Sequence, residues 1–251
     1  MQIDLNSDLG EGFGPWTMGD DAAILATVTS ANVACGGHAS DPDTMVQTLT
    51  LARENSVRVG AHPGYADPLG FGRRIIPMTP RQIEHMVACQ IGALMGAAAL
   101  TGAQVTYVKA HGALANLAAD EPDVATAIAR ATRAISPDLA LLAISGTALE
   151  SAGNAANLAT FSEVFADRAY LPNGRLVPRS QAGAMIHDAE TATARLLHLL
   201  QTGKMPVLGG GEVALRAQSI CVHGDNKEAL TLAKAIRLGL SAQGITFKAF
   251  T

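Results

Sequence analysis

With 251 residues, 48% of them hydrophobic and only 16% charged, the chain is long and apolar enough to bury a large core and is not a disordered polymer. A net charge of −4 without a basic stretch argues against a nucleic-acid binder, and 4% aromatic residues leave little for a base- or sugar-stacking surface. No charged segment followed by an apolar one opens the chain, so no secretory signal is expected. Cys35, Cys89 and Cys221, odd in number and without CxxC spacing, read as reduced thiols packed in the core of a cytoplasmic protein.

Strand-like and helix-like segments alternate along the chain. Strands are expected at residues 2–6, 31–35, 57–61, 105–109, 139–144, 160–166 and 218–223. Asp41-Pro42-Asp43 signals a helix running to about Glu54, and Thr79-Pro80 opens the longest helix, with Ile83, Val87, Ile91 and Leu94 at helical spacing. Its apolar stretch from Ile91 to Leu100 is about half a membrane span and reads as buried helix. Asp120-Glu121-Pro122, Asp188 and Asp225 mark further starts, and Val207 to Leu215, broken by Gly209-Gly210-Gly211, suggests a small hairpin. Repeated βα units call for a parallel sheet with right-handed crossovers. Seven of them predict an α/β fold, an irregular seven-stranded (β/α) barrel, as one domain over residues 1–251.

Most of these strands stop at ionisable residues, as they do where a barrel builds its active site at the C-terminal ends of its strands. The first runs into Asp8 and Glu11, set among glycines that allow close backbone approach to a ligand. The second leads through Gly36-Gly37 to His38 and Asp41, and the third to His62 in a Pro-Gly loop. Arg73 and Arg74 follow and offer planar forks to a substrate carboxylate, although a solvated loop would explain Arg74 as well. Lys109 and His111 are two residues apart and share a strand face, and a lysine aimed into a barrel needs an anion to meet. Glu163, Asp167 and Arg168 accompany the sixth strand, where a self-contained Asp–Arg pair is the plainer reading. His223 and Asp225 close the series, Asp225 also suiting a helix cap; His85 and His198 fall within helical patterns and read as structural. A cysteine nucleophile at Cys35 or Cys221 lacks an adjacent base at a diagnostic spacing.

The runs LNSDLGEGFG (5–14), NVACGGHASDP (32–42), GAHPGYADPLGFGRR (60–74), VKAHGAL (108–114), EVFADRAY (163–170), LVPRSQAGA (176–184) and CVHGD (221–225) together resemble the LamB/YcsF family, in order and over nearly the whole chain. Ser7, Gly37-His38-Ala39-Ser40 and Ala110 depart from that family's usual residues, and Ser7 removes a cysteine often found there. The resemblance implies a barrel like those of glycoside hydrolases and polysaccharide deacetylases. It also implies ATP-dependent opening of 5-oxo-L-proline to L-glutamate, with ATP as co-substrate, in company with partner subunits B and C; self-association of the chain stays open. The expected catalytic residues are Asp8, Glu11, His38, His62, Lys109, His111 and His223, and the expected substrate-binding residues are Asn6, Arg73, Arg74, Glu163, Asp167, Arg168 and Asp225.

No phosphate-binding loop is present in the sequence, since Gly203-Lys204 is followed by Met205 and lacks the upstream glycine. Phosphoryl activation is therefore expected in the partner subunits and hydrolysis here. His111 or His38 would act as base with Asp8 orienting it, Lys109 would stabilise negative charge, and Glu11 or His223 would protonate the leaving nitrogen. No metal site is expected from the histidine spacing, which lacks HxxxH, although Asp8, His38 and His62 compose an unconventional set. Two rival readings are a stand-alone metal-dependent amidohydrolase or deacetylase of a small amide, and a non-catalytic oxoproline-binding subunit.

Overall fold

The computed structural model describes residues 1–223 and 227–251. In chain order its strands are β1 (Gln2–Leu9), β2 (Ser30–Ala34), β3 (Arg58–His62), β4 (Val105–Val108), β5 (Ala140–Ile144), β6 (Thr160–Phe165), β7 (Lys204–Pro206), β8 (Glu212–Ala214), β9 (Ser219–Cys221) and β10 (Thr246–Phe247). Strands β1 to β6 and β9 pair in parallel, and β9 returns to β1, closing a seven-stranded barrel. The short strand β10 adds to the start of β1, and β7 and β8 form an antiparallel hairpin across the three-glycine turn.

The helices are α1 (Asp21–Leu25), α2 (Pro42–Glu54), α3 (Pro80–Thr101), α4 (Gly112–Asp120), α5 (Pro122–Ile135), α6 (Ala148–Ala155), α7 (Ala189–Thr202) and α8 (Lys227–Ala242). Where the sequence carries a cap, the helix starts there. The Asp41 carboxylate accepts from the backbone of Asp43 and Thr44, Thr79 and Gln82 form a reciprocal capping box, and Asp188 accepts from Thr191. The cap expected of Asp225 lies outside the described residues. Helices α4 and α6, whose N-cap residues His111 and Thr147 make no side-chain cap bond, escape the sequence reading, as does the short α1 although Asp20 caps it. Helix α3 is long and apolar enough to cross a membrane by length and composition, yet Ile83, Val87, Ile91 and Leu94 are buried in a helix that packs against α2 and α5.

Strand β1 shows how the barrel is filled. Ile3 and Leu5 join the apolar core, while Asp4, Asn6 and Asp8 on the other face make hydrogen bonds to residues of several other strands. Asp4 Oδ1 accepts from Thr29 Oγ1 (2.6 Å) and Ser30 Oγ (2.7 Å), and Ser219 donates to its other oxygen. Asn6 donates to Ser219 Oγ (2.6 Å), and Asn32 donates to both Asn6 Oδ1 (2.7 Å) and Asp8 Oδ1 (2.8 Å). Tyr107 OH completes the column by donating to Asn32 Oδ1 (2.7 Å). Its ring lies so close to Gly60 that a β-carbon there would collide with it.

Candidate active site

The polar column leads to a cavity of about 570 Å³ lined by Asp8, Glu11, His62, Arg73, Lys109, His111, Glu163, Arg168, Arg179 and His223, among others. Its charged groups come from β1, β3 and β6 and from the loops that follow the strands, the arrangement expected of a barrel.

Lys109 lies at the centre, just beyond β4, its backbone N–H donating to Ala61 O. Its ammonium is 3.1 Å from Asp8 Oδ1, Asn6 Oδ1 and Cys221 Sγ and 3.0 Å from Glu163 Oε2, with the Phe165 ring 5.3 Å away. Burial disfavours the charge on Lys109, but Asp8, Cys221 and Glu163 outweigh it and hold the ammonium pKa well above its ordinary value. Asp8 responds in kind: burial opposes its ionisation, yet Lys109 and His62 bring its pKa well below the usual carboxylate range. Glu163 goes the other way, because burial exceeds the pull of Lys109 and raises its pKa. One carboxylate is thus held ionised and the other is pushed toward its protonated form across the same lysine.

Beside this group stand three imidazoles. His62 Nδ1 donates to Lys109 O (2.8 Å), and His111 Nε2 donates to Phe71 O (2.8 Å). The free edges of the two rings meet, His62 Nε2 being 3.1 Å from His111 Nδ1 and 3.4 Å from Asp8 Oδ1. His38 stacks on His111 at 3.6 Å between ring centroids, and its Nε2 is 3.2 Å from Glu11 Oε1. Burial, the neighbouring imidazoles and, at His38, Arg73 hold the pKa values of His38 and His111 well below the ordinary one, so both rings are neutral. Glu11, His38, His62 and His111 each offer one ligand atom, all within 4.8 Å of one another, and form the group best able to hold a metal ion among the described residues. The sequence led to no expected metal site and offered only Asp8, His38 and His62 as an unconventional set. The fold brings Glu11 and His111 there and commits Asp8 to Lys109.

Glycine is required where this cluster touches the loop after β3. At Gly72, φ is +61°, and a β-carbon would fall 2.7 Å from His38 Cβ and 2.9 Å from His111 Cδ2.

The remaining expected residues distribute unevenly. Asn6 is buried beneath the cavity and holds Lys109 rather than lining the wall. Arg73 lines the cavity and lies over Phe71, whereas Arg74 is outside it, paired with Asp67, whose side chain also caps the turn at Pro68–Gly70. Asp167 does not pair with Arg168; its Oδ2 accepts from His223 Nδ1 at 2.6 Å. Burial works against a charged His223, but the Asp167 carboxylate overcomes it and raises the imidazole pKa. Arg168 is buried, donates through Nη2 to Val177 O, and has no partner at Nε among the described residues; burial and the nearby Arg179 lower its pKa to about 10. Asp225 lies outside the described residues.

Arg175 and Arg179 also line the cavity and were missed by the sequence reading. Arg175 pairs with Asp120 (2.6 Å), and Arg179 is 3.0 Å from His223 Nε2. Both fall in the long segment between β6 and α7 that follows a strand end, and Arg179 also lies within the LVPRSQAGA run, a signal that could have found it. Cys35 and Cys221 are buried, and burial pushes the Cys35 thiol up to about 12 and Cys221 well above its ordinary value, so neither is an activated nucleophile. Cys89, expected in the core, is exposed on α3.

The LamB/YcsF family model matches residues 3–251. A relative from Gluconobacter oxydans (strain 621H), named as the A subunit of 5-oxoprolinase, is 49% identical over 249 residues, which cover 99% of this chain and 98% of the relative. Among solved structures, the lactam utilization protein from Thermus thermophilus is 41% identical, with a TM-score of 0.94 and all of both chains covered. The catalytic domain of a peptidoglycan N-acetylglucosamine deacetylase from Eubacterium rectale ATCC 33656, 12% identical at a TM-score of 0.50, covers 100% of this chain and 88% of that domain and is similar in fold alone.

Proposed function

Because the chain belongs to the LamB/YcsF family, we propose that it carries out the hydrolytic step of a 5-oxoprolinase, opening 5-oxo-L-proline to L-glutamate as the A component of that enzyme. In this reading ATP is consumed and subunits B and C are its partners. Support comes from relatives named as the A subunit of 5-oxoprolinase and, within the site, above all from Lys109 held between an ionised Asp8 and a Glu163 that resists ionisation.

A five-membered lactam is a stable amide. Opening it requires an activated carbonyl, a water brought to attack, and a proton for the departing nitrogen. Phosphorylation of the carbonyl oxygen in the partner subunits supplies the first; addition of water and C–N cleavage then give γ-glutamyl phosphate, which a second water hydrolyses to glutamate and inorganic phosphate. Water is activated at the uncharged imidazoles of His38 and His111, with His62 and Glu11 completing the group. Lys109 has all its protons engaged by protein acceptors, so it acts as a fixed positive charge facing the oxygen that becomes negative. His223, pushed toward its protonated form by Asp167, gives the proton to nitrogen. The substrate carboxylate meets Arg168, whose buried Nε is unpaired among the described residues.

The test is glutamate release from 5-oxoproline by the purified chain, with and without ATP and with and without subunits B and C. Release that needs both ATP and the partners is expected, and it should vanish in Lys109→Ala and His111→Ala proteins that still fold. ATP-independent release by the chain alone would favour an amidohydrolase instead.

A further inference from the structure

The geometry points to a divalent transition-metal site formed by His38, His62, His111 and Glu11 at the wall of the cavity. Carbonyl oxygens only accept, so the bonds to Lys109 O and Phe71 O put a ring proton on His62 Nδ1 and the ring proton of neutral His111 on Nε2. His62 Nε2 and the lone pair of His111 Nδ1 then face each other at 3.1 Å, with the Asp8 carboxylate 3.4 Å from the first and Glu11 Oε1 3.8 Å from the second. Electron pairs and anions converging in a buried place call for a cation. A proton on His62 Nε2 serves only the contacts that this one nitrogen makes, whereas an ion serves the whole group.

The spacing suits one. Tetrahedral coordination with bonds of about 2.0–2.1 Å sets neighbouring donor atoms roughly 3.3–3.4 Å apart. Here the separations are 3.1 Å for His62–His111, 3.2 Å for His38–Glu11 and 3.8 Å for Glu11–His111, and all four donor atoms lie within 4.8 Å of one another, so small side-chain shifts close the group on one ion. Donation of the distal ring N–H to a main-chain carbonyl, seen at two of the three histidines, is the usual outer support of a metal-bound imidazole. His38 and His111 are stacked parallel here, so binding of one ion by both would require the two rings to tilt apart. Imidazole-rich sets with one carboxylate select ions of the zinc, iron and nickel class. Within the lactam-opening reading, on which only this use of the ion rests, a bound ion would lower the pKa of the attacking water, taking over the task that His38 and His111 perform as bases when no ion is held.

The experiment is titration of chelator-treated full-length chain with Zn2+ alone, by calorimetry and metal analysis, without lactam or ATP. One ion per chain is expected. His62→Ala and His111→Ala should each weaken binding by more than the roughly 10–100-fold that loss of an outer-shell partner costs, and His198→Ala, on the exposed face of α7, should bind as the unaltered chain does. Cobalt substitution in the unaltered chain keeps the test open where a variant fails to fold, an intense tetrahedral visible spectrum being expected. No bound ion in the folded chain, equal binding by the folded His62 and His111 variants, or a weak octahedral cobalt spectrum overturns the site. None of these outcomes touches the oxoprolinase reading, and metal binding with no glutamate release even when lactam, ATP and subunits B and C are supplied would overturn that reading while leaving the site intact.

Discussion

Lys109 and Asp8 form a buried ion pair, 3.1 Å between Nζ and Oδ1, on which the charge states of the cavity floor depend. Removing the lysine alone strands the carboxylate. Lys109→Met is expected to cost about 3–5 kcal/mol in urea denaturation, and the double change with Asp8→Asn should recover most of that. The pH dependence follows the same pair. Asp8 titrates below its ordinary 3.8, so its contribution is full above that value and disappears as pH falls through the lower folded-state pKa. Lys109 titrates above 10.5, so its contribution is full below that value and disappears as pH rises through the higher one.

His223 should titrate above its ordinary 6.5, because Asp167 outweighs burial and the opposing charge of Arg179, with Asp8 adding to the rise. Stability from this contact is complete below 6.5 and is lost as pH rises through the folded-state value. Asp167→Asn should move the imidazole pKa to 6.5 or below, read by NMR titration. An unchanged value would remove His223 as proton donor.

Gly72→Ala should abolish turnover and cost on the order of 1–3 kcal/mol, from the left-handed backbone and the collision with His38 and His111. Gly96→Ala, on the exposed side of α3 with open space where the β-carbon goes, should instead stabilise by about 1 kcal/mol. Thermal melts of the two variants make the comparison.

Arg168→Ala should raise KM for 5-oxoproline by about 10–100-fold, the value of one charge-assisted hydrogen bond, with a smaller effect on kcat. Arg74→Ala, whose guanidinium is spent on Asp67 outside the cavity, should leave KM unchanged. Steady-state kinetics with the complete complex separates the two.

Alkylation of the native chain with iodoacetamide, followed by mass spectrometry, should label Cys89 and spare Cys35 and Cys221.

The barrel was legible because its strands are short apolar runs ending in ionisable residues, and ladder pairing fixes where such runs go. Asp8, Glu11, His62, Lys109, His111 and His223 could be gathered from those strand ends before any coordinates. Partnerships were not legible, since they depend on side-chain reach across the barrel. Asp167 meets His223 rather than its neighbour Arg168, and Glu163 reaches from β6 to Lys109. Arg175 lies outside the family-like runs and Arg179 sits within one, but both reach the cavity through the path of a long loop that the sequence does not trace. The polar interior did have a signal, the alternation of Asp4, Asn6 and Asp8 along β1, but period two with an apolar partner face ordinarily means that the polar side meets water.

That interior removes the usual independence of scaffold and site. Asp4, bonded to Ser219 and Ser30 beneath the cavity, reaches Lys109 through Ser219 and Asn6 in hydrogen-bonded steps. A serine lost at the closed end is therefore felt at the open one, as a change in how firmly Lys109 keeps its proton. Redesigning the pocket means retuning the strand interior as well as its mouth.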